Sequence, residues 1–539
     1  MKMNCQTHIE TEPVDELRKI NDFLLSKIES LLSKEQGYQS EIAILKEQIR
    51  ALQDMLFGRK SEKRVVDDGQ LSLFESSEEV PTPVAVSEEV HEISIGAHKR
   101  KKGGRQAIPE NLPRIEVIHD LSDAEKQCQC GCTKTCIGQE SSEQLDIIPA
   151  KIQVIRNIRL KYACKSCEGV DDDGPTVMIA RMPDQIIPKC IGTPGLIAFV
   201  LVAKFVDHIP FYRQEKQFLR IGVDISRATM CNWARKIGES FEILLMMLKK
   251  EVIAGKLLNI DETPVQVLNE PDKSNQSKSY MWIFRGGTPE APAIIFEYRP
   301  SRAGDVAAEF IKGYEGVVQT DGYKGYDFID HIKDILHMGC FAHVRRKFVA
   351  VEKAAGKPAD ATKTTITGQA LKYIRKLYEL ERQTKEKGLT GDELLRERQE
   401  KATQVMDDLK KLLDSSVNNV PPQCLLGKAI NYALNQWHRL VVYLKTPYVT
   451  LDNNLVENAI RPFAIGRKNW LFSGTPEGAA ASAAIYSIIE TAKANALEPY
   501  WYLRYLLERL PDAMTEDDFK ALLPQNIQPS QLNGPPNLS

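Results

Sequence analysis

The chain has 539 residues, of which 42% are hydrophobic and 27% are charged, and its formal net charge at pH 7 is −2. At roughly 100 to 200 residues per domain, this length predicts three or four domains, and the near-neutral charge means that any affinity for nucleic acid must come from local basic patches. No apolar stretch approaches the roughly 18 residues that span a bilayer, and acidic residues interrupt the N-terminus where a signal peptide would lie. We therefore expect a cytoplasmic protein that does not bind membranes.

Residues 14–57 carry a heptad repeat of apolar residues. One seam is formed by Leu17, Leu24, Leu31, Tyr38, Leu45 and Leu52, and the second by Ile28, Ile42, Ile49 and Leu56. Such a repeat, sustained over about five heptads, predicts a left-handed coiled coil (a leucine zipper) through which copies of the chain form a homo-oligomer. The alternative is a lone amphipathic helix that packs on the body of the protein.

Two segments of opposite charge follow the heptads. Residues 75–97 are acidic and contain prolines, which predicts a disordered linker. Residues 98–114 are basic, and their charge is concentrated in Lys99, Arg100, Lys101 and Lys102. This basic segment can neutralise several DNA phosphates; the alternative is a merely solvated tail.

Six of the eleven cysteines lie between residues 128 and 167. In a chain without an export signal, clustered cysteines indicate metal binding more often than disulfides. The pair Cys164 and Cys167 has the C-x-x-C spacing of a zinc knuckle, and two of Cys128, Cys130 and Cys132 would complete a tetrahedral shell for one structural Zn²⁺. We expect a zinc-binding domain over 115–180, with a strand at 152–162.

A helical DNA-binding region is predicted over 190–250. Its centre resembles a helix-turn-helix, with one helix at 212–219, a turn at Gly222 and a second helix capped by Ser226. On the second helix, Arg227, Asn232 and Arg235 are long or polar enough to contact bases or phosphates. Any two helices separated by a glycine would give the same pattern.

From residue 256 the pattern changes to strands. Strands are expected at 257–261, 280–284, 293–298, 316–320 and 335–341, with helices at 303–314 and 342–355. This order is that of a ribonuclease-H-like α/β fold, in which two adjacent strands end in Asp261 and Asp321. Taken singly, an aspartate at the end of a strand is more often a cap or turn residue, so the prediction depends on all the acids together.

Glu457 is the best candidate for a third carboxylate, because helical spacing places Asn453, Glu457 and Arg461 on one face. We expect Pro462 to end or kink this helix. Three carboxylates suit two Mg²⁺ (or Mn²⁺) ions per active site, since these ions prefer oxygen ligands and act in pairs in phosphodiester cleavage.

Basic residues flank these acids in sequence. One helix carries His343, Arg345, Arg346 and Lys347, and Arg461, Arg467 and Lys468 follow Glu457. These groups can bind DNA phosphates, and Trp470 can stack on an unpaired base. The alternative for His343 and Trp470 is packing in the interior.

The chain resembles the insertion sequence 66 family of DDE transposases over nearly its whole length. The matching stretches, in the family's order, are 56–63, 142–146, 162–164, 208–214, 261–264, 320–323, 340–348, 453–462 and 466–472. The resemblance implies a leucine zipper, a zinc-binding domain, a DDE catalytic domain over 251–490 with a helical insertion at 350–445, and a C-terminal domain and tail over 491–539. It also implies Asp261, Asp321 and Glu457 as the catalytic triad, terminal inverted repeats and target DNA as partners, and accessory proteins of the same element. The first cysteine knuckle departs from the family pattern, where C-x-x-C is usual.

The expected molecule is thus a multidomain α/β transposase that binds DNA and performs strand cleavage and strand transfer. Two other classes of protein compete with this interpretation. One is a non-catalytic DNA-binding protein that uses the zinc and helix-turn-helix elements, which would leave the three acids unexplained. The other is a ribonuclease-H-like nuclease that cuts but does not join.

Overall fold

The computed structural model describes residues 152–163, 177–355 and 365–532, and single residues and short runs between 21 and 49. The chain divides into two compact units, residues 71–182 and the remainder. The described residues between 21 and 49 are helical, and the heptad side chains of Leu24, Leu31, Tyr38 and Leu45 are 50 to 64% exposed. The linker, the basic segment with Lys99 to Lys102, and the five cysteines from which the four zinc ligands are expected lie outside the described residues.

The described part of the 71–182 unit is a short ribbon. Strands β1 (Lys161–Ala163) and β2 (Val177–Ile179) pair antiparallel. The strand predicted at 152–162 is therefore wrong for most of its length. Alternation of apolar and polar residues predicts which side chains share a face, but a strand also needs a hydrogen-bonding partner. Among the described residues, backbone pairing begins only at Leu160, whose carbonyl accepts from the backbone N–H of Ala180 at 3.0 Å.

A mixed sheet forms the centre of the larger unit. Its strands are β3 (Leu257–Val267), β4 (Lys278–Gly287), β5 (Pro292–Arg299), β6 (Gly316–Gln319) and β7 (Ile335–Met338). Their order across the sheet is β5-β4-β3-β6-β7, with β3, β4 and β5 antiparallel and β6 and β7 parallel to β3. Consecutive buried residues, as in Met281 to Phe284, show that both faces of the sheet are covered.

Four helices precede the sheet: α1 (Pro194–Phe205), α2 (Phe211–Arg220), α3 (Arg227–Ser240) and α4 (Glu242–Ala254). The predicted helix-turn-helix corresponds to α2 and α3. Ser226 caps α3, since its side chain accepts a hydrogen bond from the backbone N–H of Thr229. Gly222 has φ +81°, a left-handed conformation that glycine adopts without strain.

Helices α5 (Asp305–Phe310) and α6 (Phe341–Ala355) flank β6 and β7 in sequence. The insertion contains α7 (Ile366–Glu386), α8 (Gly391–Val417), α9 (Leu425–Asn435) and α10 (Trp437–Leu440). These helices and α6 share a hydrophobic core with Val317 of β6 and Met338 of β7, and this core is distinct from the one that includes the N- and C-terminal helices.

The chain continues into α11 (Asn454–Trp470), the short strand β8 (Phe472–Ser473), α12 (Pro476–Ala494), α13 (Pro499–Arg509) and α14 (Glu516–Ala521). Of the two outcomes predicted for Pro462, an end of the helix is wrong, because α11 continues for eight residues beyond it, and a kink stays a prediction. Proline removes one backbone N–H donor, while buried Phe463 and Gly466 hold the later turns against the core.

Helix α12 covers the edge of β5, the outermost strand on its side of the sheet, with side-chain hydrogen bonds. The hydroxyls of Ser487 and Thr491 accept from the backbone N–H groups of Phe296 and Ile294, and the Asn495 amide donates to the carbonyl of Pro292. These bonds satisfy an edge that would otherwise pair with another chain. Among the described helices, none has the length and apolar character needed to cross a bilayer.

Candidate active site

Asp261 and Asp321 occupy equivalent positions on neighbouring parallel strands. Strands β3 and β6 pair with Leu257 opposite Val317 and Asn259 opposite Gln319. Each aspartate lies two residues beyond this last pair, Asp261 within β3 and Asp321 just after β6. Because paired strands lie about 4.8 Å apart, the register places the two carboxylates side by side.

Glu457 joins them from the first turn of α11. The amide of Asn453, the residue that precedes α11, donates to the carbonyl of Ile260 at 3.1 Å, which ties the start of the helix to the residue before Asp261. The far end is tied to the same strand, because β8 pairs with β3 at Gln266 and Val267. Helix α11 thus lies along β3, with Glu457 near the aspartates.

The three carboxylates lie close enough to influence one another. Burial raises the pKa of Asp261 to about 8, and the negative charges of Glu262, Asp321 and Glu457 contribute to this rise. The backbone N–H of Glu262 donates to Asp261 Oδ1 at 2.9 Å, and this hydrogen bond opposes the rise in the pKa of Asp261. Such a group of acids holds excess negative charge, and a bound cation would relieve it.

Glu457 faces two side chains of α6. Its Oε2 lies 3.3 Å from Arg346 Nη2, and its Oε1 lies 3.9 Å from His343 Nδ1. Oε1 and Nδ1 are both buried and have no hydrogen-bond partner among the described residues. Burial lowers the pKa of His343, and the nearby Arg346 lowers it further, which favours a neutral imidazole. Cys340, His343 and Glu457 carry potential ligand atoms within 4.8 Å of one another.

The side chain of Glu262, the neighbour of Asp261 on β3, is already hydrogen-bonded to other side chains of the protein. Its side chain is 1% exposed and accepts hydrogen bonds from Arg302 Nε at 2.6 Å and from the hydroxyl of Tyr326. The guanidinium of Arg302 also stacks over the Tyr323 ring at 3.8 Å. Asp261, Asp321 and Glu457 are therefore the carboxylates here that remain available to a ligand, and their oxygen atoms fit a hard divalent cation.

The sequence model described as "Transposase IS66 family" matches residues 189–481, more than half of the chain, including all three acids. The chain belongs to the IS66 transposase family. Three further models match other parts of this transposase: "Transposase C of IS166 homeodomain" at 44–117, "zinc-finger binding domain of transposase IS66" at 125–168 and "IS66 C-terminal element" at 487–525. They support the expected leucine-zipper and zinc-finger domains.

Similar full-length proteins occur in Sinorhizobium fredii (strain NBRC 101917 / NGR234). The uncharacterized protein y4qI is 29% identical over 524 residues, which cover 94% of this chain and 93% of y4qI. The uncharacterized protein y4jD is 29% identical over 510 residues, which cover 90% of this chain and 95% of y4jD. The similarity therefore extends over the whole transposase and is not limited to one domain.

The structure brings some of the predicted DNA-contacting residues to the acids and places others elsewhere. His343 and Arg346 face Glu457, and Arg467 donates to the Thr263 hydroxyl at 3.1 Å, two residues from Asp261. Lys347 lies over the Tyr432 ring at 4.4 Å. Arg345, Arg461 and Lys468 are exposed.

The three predicted contacts on α3 are on its outer side. Arg227 and Asn232 are exposed and Arg235 is half-buried, while Trp233 and Ile237 on the inner side enter the core. Arg235 pairs with Glu239 at 2.5 Å and donates to Asn232 at 3.0 Å. Trp470, proposed as a base-stacking residue, is half-buried and packs edge-on against Phe463 with ring centroids 5.4 Å apart, so packing is its observed role.

Sequence reasoning missed a partly buried chain of polar side chains that leads from the insertion to Asp321. Arg439 of α10 is 3% exposed and donates to Asp330 at 3.1 Å and to Asp327 at 2.6 Å. Asp330 bonds His337 Nδ1 at 2.7 Å, and His337 Nε2 bonds the hydroxyl of Thr320, the residue before Asp321, at 2.8 Å. Burial lowers the pKa of His337 to about 4, and Arg439 contributes. The feature of the sequence that could have indicated this chain is a histidine, His337, inside the otherwise apolar strand Ile335–Met338.

We expect Arg439→Met to lower the free energy of unfolding by about 1 to 3 kcal/mol, because the Asp330 carboxylate, whose side chain is 21% exposed, loses its hydrogen bonds from the buried guanidinium. Urea unfolding followed by circular dichroism measures the change. Arg382→Met is the matched control, since Arg382 also binds two carboxylates, Glu379 and Glu386, but is half exposed on one helix. Equal stability losses in the two variants would contradict a structural role for the Arg439 network.

Proposed function

We propose that this transposase binds the terminal inverted repeats of its element, cleaves DNA strands there and joins them to target DNA. The observation that carries the proposal is the convergence of Asp261, Asp321 and Glu457, produced by the pairing of β3 with β6 and by the attachment of α11 to β3. Residues separated by 60 and by 136 positions in sequence meet at one end of the sheet.

The order of the strands supports a ribonuclease-H-like assignment for the catalytic domain. Three antiparallel strands are followed by two that run parallel to the first, and the first strand lies at the centre of the sheet. The helical insertion lies between the second and third acids. We assign the catalytic domain with its insertion to residues 251–490, and the helical region at 190–250 to DNA binding.

Asp261, Asp321 and Glu457 would hold two Mg²⁺ or Mn²⁺ ions. Ions of this kind increase the nucleophilicity of the attacking oxygen and stabilise the charge on the leaving oxygen during phosphodiester exchange. The fit rests on the donor atoms: three carboxylates, one with a buried oxygen that has no described partner, and an Asp261 whose pKa is raised to about 8 by burial and by its acidic neighbours.

The basic residues beside the acids would bind the DNA backbone. Arg346, whose side chain is 61% exposed, and Arg467 lie near Glu457 and Asp261, where a scissile phosphate would bind. His343 offers a neutral imidazole on the same side as Glu457. Arg227, Asn232 and Arg235 on α3 would contact the inverted repeat, together with the basic segment at 98–114.

We also infer that the heptad segment joins two copies of the chain. Its apolar side chains Leu24, Leu31, Tyr38 and Leu45 are at least half exposed in the single chain, which is unfavourable unless a partner helix covers them. Transposition brings two element ends together, so an assembly with two active sites is required.

The carboxylates are tested by Asp261→Asn, Asp321→Asn and Glu457→Gln. Each change keeps the side-chain shape but removes the charge that binds a cation, so cleavage and joining should fall below detection while end-binding persists. The assay is strand transfer of a labelled terminal repeat in Mg²⁺ or Mn²⁺. Asp272→Asn is the control, since Asp272 is exposed in a turn with φ +60°, a conformation that asparagine adopts readily.

The same assay separates the competing interpretations. Joined product supports a transposase, cleaved product alone supports a nuclease, and binding without either supports a non-catalytic DNA-binding protein. Full activity of any one carboxamide variant would remove that residue from the site.

The zinc site is tested by metal analysis of protein purified in reducing buffer. We expect about one zinc per chain, held by Cys164, Cys167 and two of Cys128, Cys130 and Cys132, and we expect Cys164→Ser to lose it and to unfold the zinc-binding domain at 115–180. Loss of folding is expected because the free energy of metal binding at such a site is also folding free energy. Cys231→Ser, at an exposed free cysteine of α3, should keep the zinc. A zinc-free wild-type protein would refute the assignment.

The oligomer is tested by Leu24→Lys with Leu31→Lys. Both leucines lie in one seam of the heptad, and burying the lysine charges there is unfavourable, so light scattering should show a shift toward monomer. Gel-shift assays should show loss of paired-end complexes with single-end binding kept. The matched control is Leu25→Lys with Leu32→Lys, which alters equally exposed leucines one position outside the seam. An unchanged mass in the seam variant would place the dimer contact elsewhere.

A further inference from the structure

Three buried amide side chains meet beneath the three acids. Asn259 lies two residues before Asp261, Gln319 lies two residues before Asp321, and Asn453 lies four residues before Glu457. Asn259 and Gln319 are 0% exposed and Asn453 is 1% exposed. Each acid therefore has one of these amides close to it in sequence. Asn259 lies on the same strand as Asp261, and Gln319 ends the strand that leads to Asp321. Asn453 precedes the helix that carries Glu457.

These amides form one hydrogen-bonded cluster. Asn259 Nδ2 donates to Gln319 Oε1 at 2.9 Å and to Asn453 Oδ1 at 2.8 Å. Asn453 Nδ2 donates to the carbonyl of Ile260 at 3.1 Å, and Gln319 Nε2 donates to the carbonyl of Thr450 at 2.9 Å. All three amide NH₂ groups therefore have acceptors, and the bonds cross between β3, β6 and the start of α11.

These hydrogen bonds fix the relative positions of β3, β6 and α11 more strictly than apolar packing would. Apolar side chains at the same places would give a non-directional attraction, which tolerates small sliding of α11 along β3. An amide whose partner moves away is left buried and unpaired, which is costly in a low-dielectric interior. The cluster therefore favours a single arrangement of the two strands and the helix.

We infer that Asn259, Gln319 and Asn453 are positioning residues that fix the distances among the three carboxylates, and so set their affinity for the divalent cations. The inference rests on the proposed function, since it presumes that these carboxylates bind cations together. The amides themselves do not touch the cations or DNA. Their effect reaches the site through the backbone of Ile260, through Thr320, the one residue between Gln319 and Asp321, and through the first turn of α11.

The test compares Gln319→Met with Gln214→Met in the full-length protein. Both glutamines are buried, at 0% and 1% exposure, and both donate to backbone carbonyls, but Gln214 bonds Val200 and Ile209 in the helical region. The measured quantity is the Mn²⁺ concentration that gives half-maximal cleavage of a labelled terminal repeat, with urea unfolding and end-binding measured in parallel.

We expect Gln319→Met to raise the half-saturating Mn²⁺ concentration by about 10- to 100-fold, the range found when groups that orient metal ligands are removed. Gln214→Met should lose stability but keep the wild-type Mn²⁺ dependence. If Gln319→Met does not fold, Asn453→Ser replaces it, because serine still suits the residue before a helix but lacks the amide that reaches Ile260. It should raise the half-saturating concentration in the same direction.

Other outcomes overturn the inference. A folded Gln319→Met or Asn453→Ser with the wild-type Mn²⁺ dependence would show that the cluster contributes stability alone, and the proposed function would stand. Equal shifts in the Gln319 and Gln214 variants would show a general effect of lost stability. A wild-type protein that cleaves without any divalent cation would refute the metal-binding role of the acids, and the positioning role with it.

Discussion

Holding several partly buried carboxylates close together is the constraint on which the β3–β6 pair and helix α11 depend. Asp261 is half-buried, and its pKa rises to about 8 because of burial and because Glu262, Asp321 and Glu457 lie nearby. Negative charges in such a place favour separation of the segments that carry them. The frame must therefore be stiff, and it is built from the β3–β6 pairing and from the attachment of α11 to β3 at both ends.

The helical insertion contributes to this stiffness on the side of Asp321. Tyr432 of α9 lies directly over Gly322, where a side-chain Cβ would come within 2.6 Å of the tyrosine hydroxyl, so any larger residue there would displace the Tyr432 ring. Arg439 reaches the same loop through Asp330, His337 and Thr320. The insertion shares a hydrophobic core with α6, Val317 of β6 and Met338 of β7, which gives these two side chains a rigid support.

Much of this arrangement was predictable from sequence. The features that were not predictable depend on contacts between residues that are far apart in sequence. Buried strands are apolar runs bounded by turns, so β4, β5 and β6 lie within three residues of their predicted ends. Asn259, Gln319 and His337 were missed because a polar residue in an apolar strand shows only that a partner exists. Asn259 finds its partners 60 and 194 residues away, and no local pattern reports a contact at that separation.

Packing also explains how DNA bound by the helical region would be held relative to the acids. Helix α3 approaches α12 so closely that a Cβ on Gly238 would lie 2.7 Å from the Cα of Ala481. Helix α12 in turn bonds the backbone of β5 through Ser487 and Thr491. Because α3, α12 and the sheet share one hydrophobic core, close packing fixes their spacing. Under the proposed function, DNA held by the outer side of α3 would therefore keep a constant spacing from Asp261, Asp321 and Glu457.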